Sequence, residues 1–445
     1  MPVTLPSTPL ATQADLDALA ARVAALEHDT PPVDKPSPDG TTTQTPGVVL
    51  IDKHLAKWAL VADTVRPPNR ISYNGAVDPV TGNVSKIGVY SGGQLFQWAT
   101  GGVWVADGNG AWTATADPTL PPPQPGTLYK VANGQIYDPA GKVFKARGPN
   151  VKFLNWPDNQ DEIIHFAITD KATCNPLLST FPGTTAIRLD CFEAMSQFGV
   201  AQPAALYPWI DALVAKGVVV EVECHVYPGV LQGNDLNQVC AWYAALAAHY
   251  KDQPRVWWGT QNEPDPNTGD VNAMLRAIIG AIRGAGNNAP IMICVDSYNG
   301  LDGAFLAQQH NLVWDQHFYG WTSGYSTDQN TVNANLLGYW QTSQQYRSAD
   351  GVIPMIVGEF GTAGYWNPDH GFVAEGQGID ANWQQVLTAV YTAPYLSGYL
   401  QWNYNTPNTS TGNPIIDLLL LPPYDGSAVT RYGGQQLRAA IASGA

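Results

Sequence analysis

Between Val143 and Ala442 the sequence alternates short apolar runs with longer amphipathic ones, and this alternation limits the fold more than any other feature. The apolar runs are Val143–Asn150, Thr185–Leu189, Val218–Cys224, Val256–Gly259, Pro290–Val295, Val313–Phe318, Ile353–Val357 and Tyr399–Trp402. Their lengths suit strands buried on both faces, as in a parallel sheet. Helix candidates fall between or after them: Ala204–Lys216, Asn234–Tyr250, Val271–Gly284, Val332–Tyr346, Ile379–Tyr391 and Gly433–Ala442. Eight such strands predict an α/β fold, a (β/α)8 TIM barrel over residues 127–445. A doubly wound sheet would not ordinarily need eight units.

The chain ahead of the barrel is of different texture. Residues 12–29 are rich in Ala, with Thr12 and Asp15 resembling a capping box. Leu16, Leu19, Val23 and Leu26 follow heptad spacing, flanked by Arg22 and Glu27. Arg22–Glu27 resembles the short trimeric coiled-coil motif, so residues 1–29 are expected to form a homotrimeric stem; a single helix docked on its own chain is the alternative. Residues 30–47 read as a Pro/Thr-rich linker. Residues 48–117 alternate aromatic and β-branched runs with Gly-rich turns, the pattern of a small all-β module. Its Trp58, Trp98, Trp104 and Trp112 could form a sugar-stacking platform or the module's core. A second Pro-rich linker spans residues 118–126.

Composition narrows the partners. Only 13% of residues are charged and the formal net charge is −15, which argues against nucleic acid or an anionic membrane as partner. No apolar run reaches the ~18 residues of a membrane span. The start of the chain shows neither the basic nor the apolar region of a secretory signal. The five cysteines have no zinc spacing and read as small buried hydrophobes. No metal or cofactor is expected.

The strand ends carry the chemistry. Polar residues there converge on one opening at the top of a barrel. They are Arg188 after the second strand, His225 and Tyr227 after the third, and Asn262 with Glu263 after the fourth. His317 and Tyr319 follow the sixth, Glu359 the seventh and Trp402 the eighth. Two glutamates on different strands suggest paired carboxylates, one as acid and one as nucleophile or base, the requirement of glycoside hydrolysis.

The set resembles glycoside hydrolase family 5, the retaining barrel β-glycanases of the cellulase and mannanase type. The resemblance lies in Ile187-Arg188-Leu189, Glu223-Cys224-His225, Asn262-Glu263-Pro264, His317-Phe318-Tyr319, Gly358-Glu359-Phe360-Gly361 and Gln401-Trp402-Asn403. Arg147-Gly148-Pro149-Asn150 is similar to the family's opening motif. The resemblance implies Glu263 as acid/base with a raised pKa, Glu359 as nucleophile, and Arg188 and Tyr319 as its supports. His317 would orient Glu263 or substrate, Asn262 would bind a 2-hydroxyl, and His225 and Trp402 would contact the sugar. Trp156, Trp321 and Trp366 either line outer subsites or pack within loops. The expected activity is endo-hydrolysis of a β-1,4-linked polysaccharide, with glucan ahead of mannan. A catalytically silent, glycan-binding barrel in a trimeric fibre is the alternative. Together, stem, module and barrel resemble a phage tail or virion-associated depolymerase, so an extracellular or virion-associated location is expected.

Overall fold

The computed structural model describes residues 34–79, 81–90, 92–99, 102–106, 112–115, 127–153, 175–192, 194–226, 229–295, 297–362, 366–367, 371–372, 381–402 and 433–444. The expected stem helix at 12–29 and the segment 118–126 lie outside these residues, as do Trp156 and Tyr227. Two compact units emerge, one within residues 1–112 and one taking 113–445 with the short stretch 101–104.

The described residues of the N-terminal unit form two antiparallel sheets. One sheet orders Thr42–Thr43, Val84–Tyr90, Gln94–Ala99, Gly102–Ala106 and Trp112–Thr115; the other runs from Val49–Ile51 through Lys57–Ala62 and Asn69–Tyr73 to Ala76–Val77. The stretch read as a linker therefore extends less far than expected. Thr42 and Thr43 pair with Gly88 and Ile87, since β-branched residues between prolines can serve an edge strand. Trp58 is fully buried with Leu60, Ile71, Ile87 and Val89. Its indole N–H donates to Asp52 Oδ2 at 2.9 Å, and its ring meets Tyr73 and Trp112. Trp58 is thus core and not a sugar platform, as a module this small needs large apolar side chains.

The second unit is a closed parallel barrel. Its strands are β1 (Ala146–Lys152), β2 (Ala186–Asp190), β3 (Val219–Cys224), β4 (Val256–Gln261), β5 (Ile291–Cys294), β6 (Leu312–His317), β7 (Met355–Glu359) and β8 (Gly398–Gln401). The helices that follow them are α1 (Asn175–Thr180), α2 (Pro203–Ala215), α3 (Gly233–His249), α4 (Val271–Gly284), α5 (Gly303–Leu306), α6 (Gln329–Ser343), α7 (Trp383–Thr392) and α8 (Gly434–Ser443). The short α1 and α5 carry too little periodicity to be legible in sequence. α4 shows why the longer helices form. Asp270 caps its start by accepting from Ala273 N, worth about 1 kcal/mol. Met274, Leu275, Ile278, Ile279 and Ile282 then make one buried stripe, each worth ~1.5–3 kcal/mol on burial.

Inside the barrel, alternate residues form layers. The bottom layer is apolar and draws one residue from each strand: Ala146, Ala186, Val219, Trp257, Met292, Val313, Ile356 and Leu400. A three-stranded antiparallel sheet, Lys130–Ala132, Gln135–Tyr137 and Val143–Phe144, plugs it from below. Tyr129 and Phe144 pack edge-on against Trp257.

Two residues higher the interior turns polar: Arg188, Glu221 and Asp315 face inward, with Gly148, Gly259 and Gly358 on neighbouring strands. These glycines make room. A Cβ on Gly358 would lie 1.7 Å from Asp315 Oδ1, and one on Gly259 1.9 Å from Glu221 Oε1. Gly358→Ala is therefore expected to cost ~2–3 kcal/mol or more, because the displaced Asp315 is buried and cannot swing away. Pairing it with Asp315→Ala should recover a large part of the loss in a denaturant-unfolding double-mutant cycle; simple additivity of the two losses would contradict the close approach.

Candidate active site

The top of the barrel is shaped by two irregularities in strand pairing. Between β3 and β4 the register runs Val222↔Trp258 and then Cys224↔Gln261; between β6 and β7 it runs Gln316↔Val357 and then His317↔Glu359. Each slip places one extra residue on the later strand, which re-aims the side chains above it. The second slip brings Glu359 level with His317. The first is held by Tyr243 of α3, whose hydroxyl accepts from Cys224 N and donates to Thr260 O. Just above it Glu263 has φ of +34°, a conformation a residue with a Cβ seldom takes. Its backbone N–H donates to Cys294 Sγ at 3.3 Å. Strain of this kind, ~1–3 kcal/mol, is typical of functional positions.

Arg188 is the centre of the network and has no solvent exposure. Its guanidinium lies 3.2 Å from Glu359, 3.4 Å from Asp190 and Glu223, 3.5 Å from Asp315 and 3.7 Å from Glu221. It also donates to Asn150 Oδ1 at 2.9 Å and Asn262 Oδ1 at 2.8 Å. Asn150 in turn donates to Gly358 O and Leu400 O, clipping β1 to β7 and β8. Burial opposes the charge on Arg188, but the surrounding carboxylates overcome it and hold its pKa well above the ordinary value. Five acids cannot all be neutralised by one arginine. Burial pushes Asp190 and Glu221 well above the usual carboxylate range, with Arg188 pulling against it.

The expected site residues meet in this mouth. Glu359 accepts from Tyr319 OH at 2.8 Å and from Arg188 at 3.2 Å. Glu263 Oε1 lies 2.7 Å from His317 Nδ1, and that nitrogen is 3.6 Å from Glu359 Oε2. A carboxylate oxygen of Glu263 and one of Glu359 lie within 4.8 Å of each other. His225 Nδ1 lies 2.6 Å from Glu223 Oε1, and its ring stacks on Trp402 at 5.1 Å. Lys152 Nζ sits 4.7 Å from the Trp402 ring centre. Asn262, buried, faces Arg188 directly. Trp321 is half exposed and stacks on Tyr319 at 4.4 Å. The side chain of Trp366 lies outside the described residues.

One expectation is corrected. The sequence reading gave Glu263 a raised pKa, whereas here it stands at about 2. Burial alone would raise it. The hydrogen bond and charge of His317 outweigh that, with His225 and Arg188 adding to the effect. For His317 burial works against the cation, while Cys294, Glu359 and Glu263 favour it, and its pKa is well above the usual value. The Cys294 thiol is itself pushed up to about 12 by burial. It is neutral at pH 7, so the two glutamates supply the charge that holds the imidazolium. Burial also disfavours the cation of His225, but Glu223 and Asp190 raise its pKa.

Asp190, Glu221, Glu223 and Asp315 were not anticipated as parts of the site. Their signal was present: Val219-Val220-Glu221-Val222-Glu223-Cys224-His225 puts an ionisable group at every second residue of a buried strand. Cys294, read as a mere hydrophobe, joins Glu263 to His317. Three clusters have donor sets of the kind that hold metals: Glu263/His317/Glu359, Asp190/Glu223/His225 and Cys294/Asp315/His317. A cation near the first two would face Arg188, and every cluster includes a histidine whose neighbours raise its pKa.

Arg188→Met should leave the acids unpaired and cost at least ~3–5 kcal/mol at pH 7. Those carboxyls would have folded pKa values above their unfolded ones, so stability is present at low pH and lost as pH rises. Urea midpoints of the variant should therefore increase from pH 7 to pH 5 relative to the parent; a constant deficit across that range would refute the charge argument.

Comparison with known proteins agrees with this geometry. The family profile for cellulase (glycosyl hydrolase family 5) matches residues 183–406, half of the chain. Similar solved structures include a protein from Cytophaga hutchinsonii (16% identity, 71% of this chain and 95% of that one, TM-score 0.51). A β-mannanase from Thermomonospora fusca matches at 18% identity over 72% and 97% of the two chains, TM-score 0.50. A β-glucanase from Saccharophagus degradans, in complex with cellotetraose, matches at 14% over 73% and 98%, TM-score 0.50. Likeness at these identities speaks for the fold. No curated protein matches the sequence. With the family profile running from just before β2 to just past β8, the chain belongs to glycosyl hydrolase family 5, the cellulase family, and is a glycoside hydrolase.

Proposed function

We propose that the enzyme is a retaining endo-β-glycanase acting on a β-1,4-linked polysaccharide, β-glucan ahead of mannan, with Glu359 as nucleophile and Glu263 as acid/base. The observation that carries this reading is the approach of the two carboxylates to within 4.8 Å. Retaining enzymes hold them ~5–5.5 Å apart, whereas an inverting water needs ~6.5–9.5 Å. Arg188 and Tyr319 both donate to Glu359 and fix its direction of attack. The glucan preference rests on the family's cellulase character.

The low pKa of Glu263 gives the acid step a particular form. At rest the pair's proton is on His317. A sugar filling the mouth removes water from Glu263 and raises the cost of its charge. The proton of the pair then moves to the carboxyl, which donates it to the leaving oxygen as Glu359 bonds to the anomeric carbon. In the second step Glu263 takes a proton from water, which attacks that carbon and releases Glu359. The two groups titrate as a unit, so their apparent pKa values belong to the pair.

We further propose that residues 12–29 form a homotrimeric stem and that the protein is an extracellular or virion-associated depolymerase. The heptad stripe Leu16, Leu19, Val23 and Leu26 supports the stem. Linked sites on one polymer would add avidity.

Glu359→Ala and Glu263→Ala should each reduce kcat by on the order of 10²–10⁴-fold or more. Azide should partly restore Glu359→Ala with inversion, and NMR of the first product of the parent enzyme should show the β-anomer; an α-anomer would dismiss the retaining mechanism. Light scattering tests the stem: a mass near three times 47.8 kDa is expected, and a Leu19→Asp, Val23→Asp variant should be monomeric yet cleave small substrates. A monomeric parent protein would rule the trimer out.

A further inference from the structure

Two cavities meet on the Glu263 side of the mouth. The first, about 440 Å³, is the part of the cleft beside Glu263, walled by Glu263, His317, Tyr319 and Trp321. The second, about 470 Å³, lies between the chain following β5 and the outer face of α6. Thr322 and Tyr339 line both and form the ridge between them. From the reading that Glu263 is the acid, which this inference rests on, the ridge lies on the leaving-group side.

The second cavity has the chemistry of a sugar site. The described residues that line it are uncharged. Ser297, Asn299, Asn335 and Thr342 contribute hydroxyls and amides, which both donate and accept, as sugar hydroxyls do. Tyr339 adds a ring, itself set edge-on to Phe318.

The walls are held in place before any ligand arrives. Thr322 Oγ1 accepts from Tyr319 N at 2.9 Å and donates to Tyr319 O at 2.7 Å. Asn335 Nδ2 donates to Ser323 O, and buried Ser323 is fixed by Asn382. A site formed in advance loses little entropy on binding. The helix contributes its smallest residues here: Ala334 and Gly338 are one turn apart. A Cβ on Gly338 would meet nothing within 4 Å.

We propose that this cavity binds a neutral sugar unit of the substrate beyond the cleft, either a further backbone residue or a side branch that passes over the Thr322–Tyr339 ridge. Hydrolysis of extended glycans then draws on it, while short aryl glycosides, whose leaving group stays in the cleft, do not.

Gly338→Phe in the full chain fills the cavity from open space, and Ala334→Trp does so from the next turn. Both are to be compared with the parent on an aryl β-cellobioside, on linear cello- and manno-hexaose, and on branched xyloglucan and galactomannan oligosaccharides. The expected result is an unchanged kcat/KM on the aryl glycoside and a loss of about tenfold or more on the larger substrates, equivalent to ~1.4 kcal/mol. Loss on the linear series assigns the cavity to the backbone; loss confined to the branched series assigns it to a side chain. Equal activity on every substrate overturns the proposal, and so does an equal loss on every substrate in variants with parental melting temperature. If the parent hydrolyses none of these glycans, it is the reading of its function that fails. Calorimetric binding of the same oligosaccharides to parent and Gly338→Phe then decides the cavity separately, with equal affinity counting against it.

Discussion

The barrel's upper half depends on one buried arginine. Arg188 lies within 3.2–3.7 Å of five carboxylates contributed by β2, β3, β6 and β7. Removing any charge from water is costly, and the cost is offset only where opposite charges and hydrogen bonds surround it. The arrangement meets that condition for Arg188 and not for every acid, and burial holds the pKa values of Asp190 and Glu221 well above the usual carboxylate range. Side-chain oxygens of Glu221 and Asp315 lie buried with no hydrogen-bond partner. A purely apolar layer would pack with fewer unmet groups. What the polar layer supplies is a rigid floor for Glu359, since Arg188 is itself fixed by Asn150 and Asn262.

The fold was legible because a parallel barrel repeats its signal. Each of the eight expected strands overlaps an observed one, and Val271–Gly284 appears as a helix with the boundaries expected. The mouth was legible for a related reason. Strand ends converge, so listing the polar residue at each end collects residues far apart in the chain, such as Arg188 and Glu359 at 171 positions. Less visible was anything that depends on side chains meeting inside the barrel. Glu221 and Asp315 look like isolated acids in sequence, and Gly259 and Gly358 look like turn residues. Only the closed barrel shows that each glycine faces one of those acids. The extent of the first linker was misjudged because Thr42 and Thr43 gain strand pairing only from residues more than 40 positions later.

Glu263 is the point where local and global preferences conflict. Its φ of +34° is unfavourable, and the surrounding structure imposes it from two sides. Cys294 Sγ accepts the backbone N–H from β5, and His317 Nδ1 holds the side chain from β6. The same thiol lies 3.6 Å from His317 Nε2. Three neighbouring strands therefore meet at one glutamate. Apolar character alone would explain the burial of Cys294, but not its two polar neighbours.

The depressed pKa of Glu263 bears on the acid role proposed for it. A carboxyl protonated at rest would be available in water as well as in the complex. Here Glu263 and Glu359 both favour the imidazolium of His317 against its burial. Below the ordinary histidine value of about 6.5 the imidazolium would be present folded or unfolded, and its favourable pairing stabilises the fold. That contribution fades only as pH rises through the elevated folded value. On the other side, Glu263 contributes above the ordinary glutamate value of about 4.3 and loses its contribution as pH falls towards about 2. The pair is thus intact across the whole neutral range, and pH does not release the proton. If Glu263 is the acid, its desolvation by a sugar in the mouth is the remaining lever.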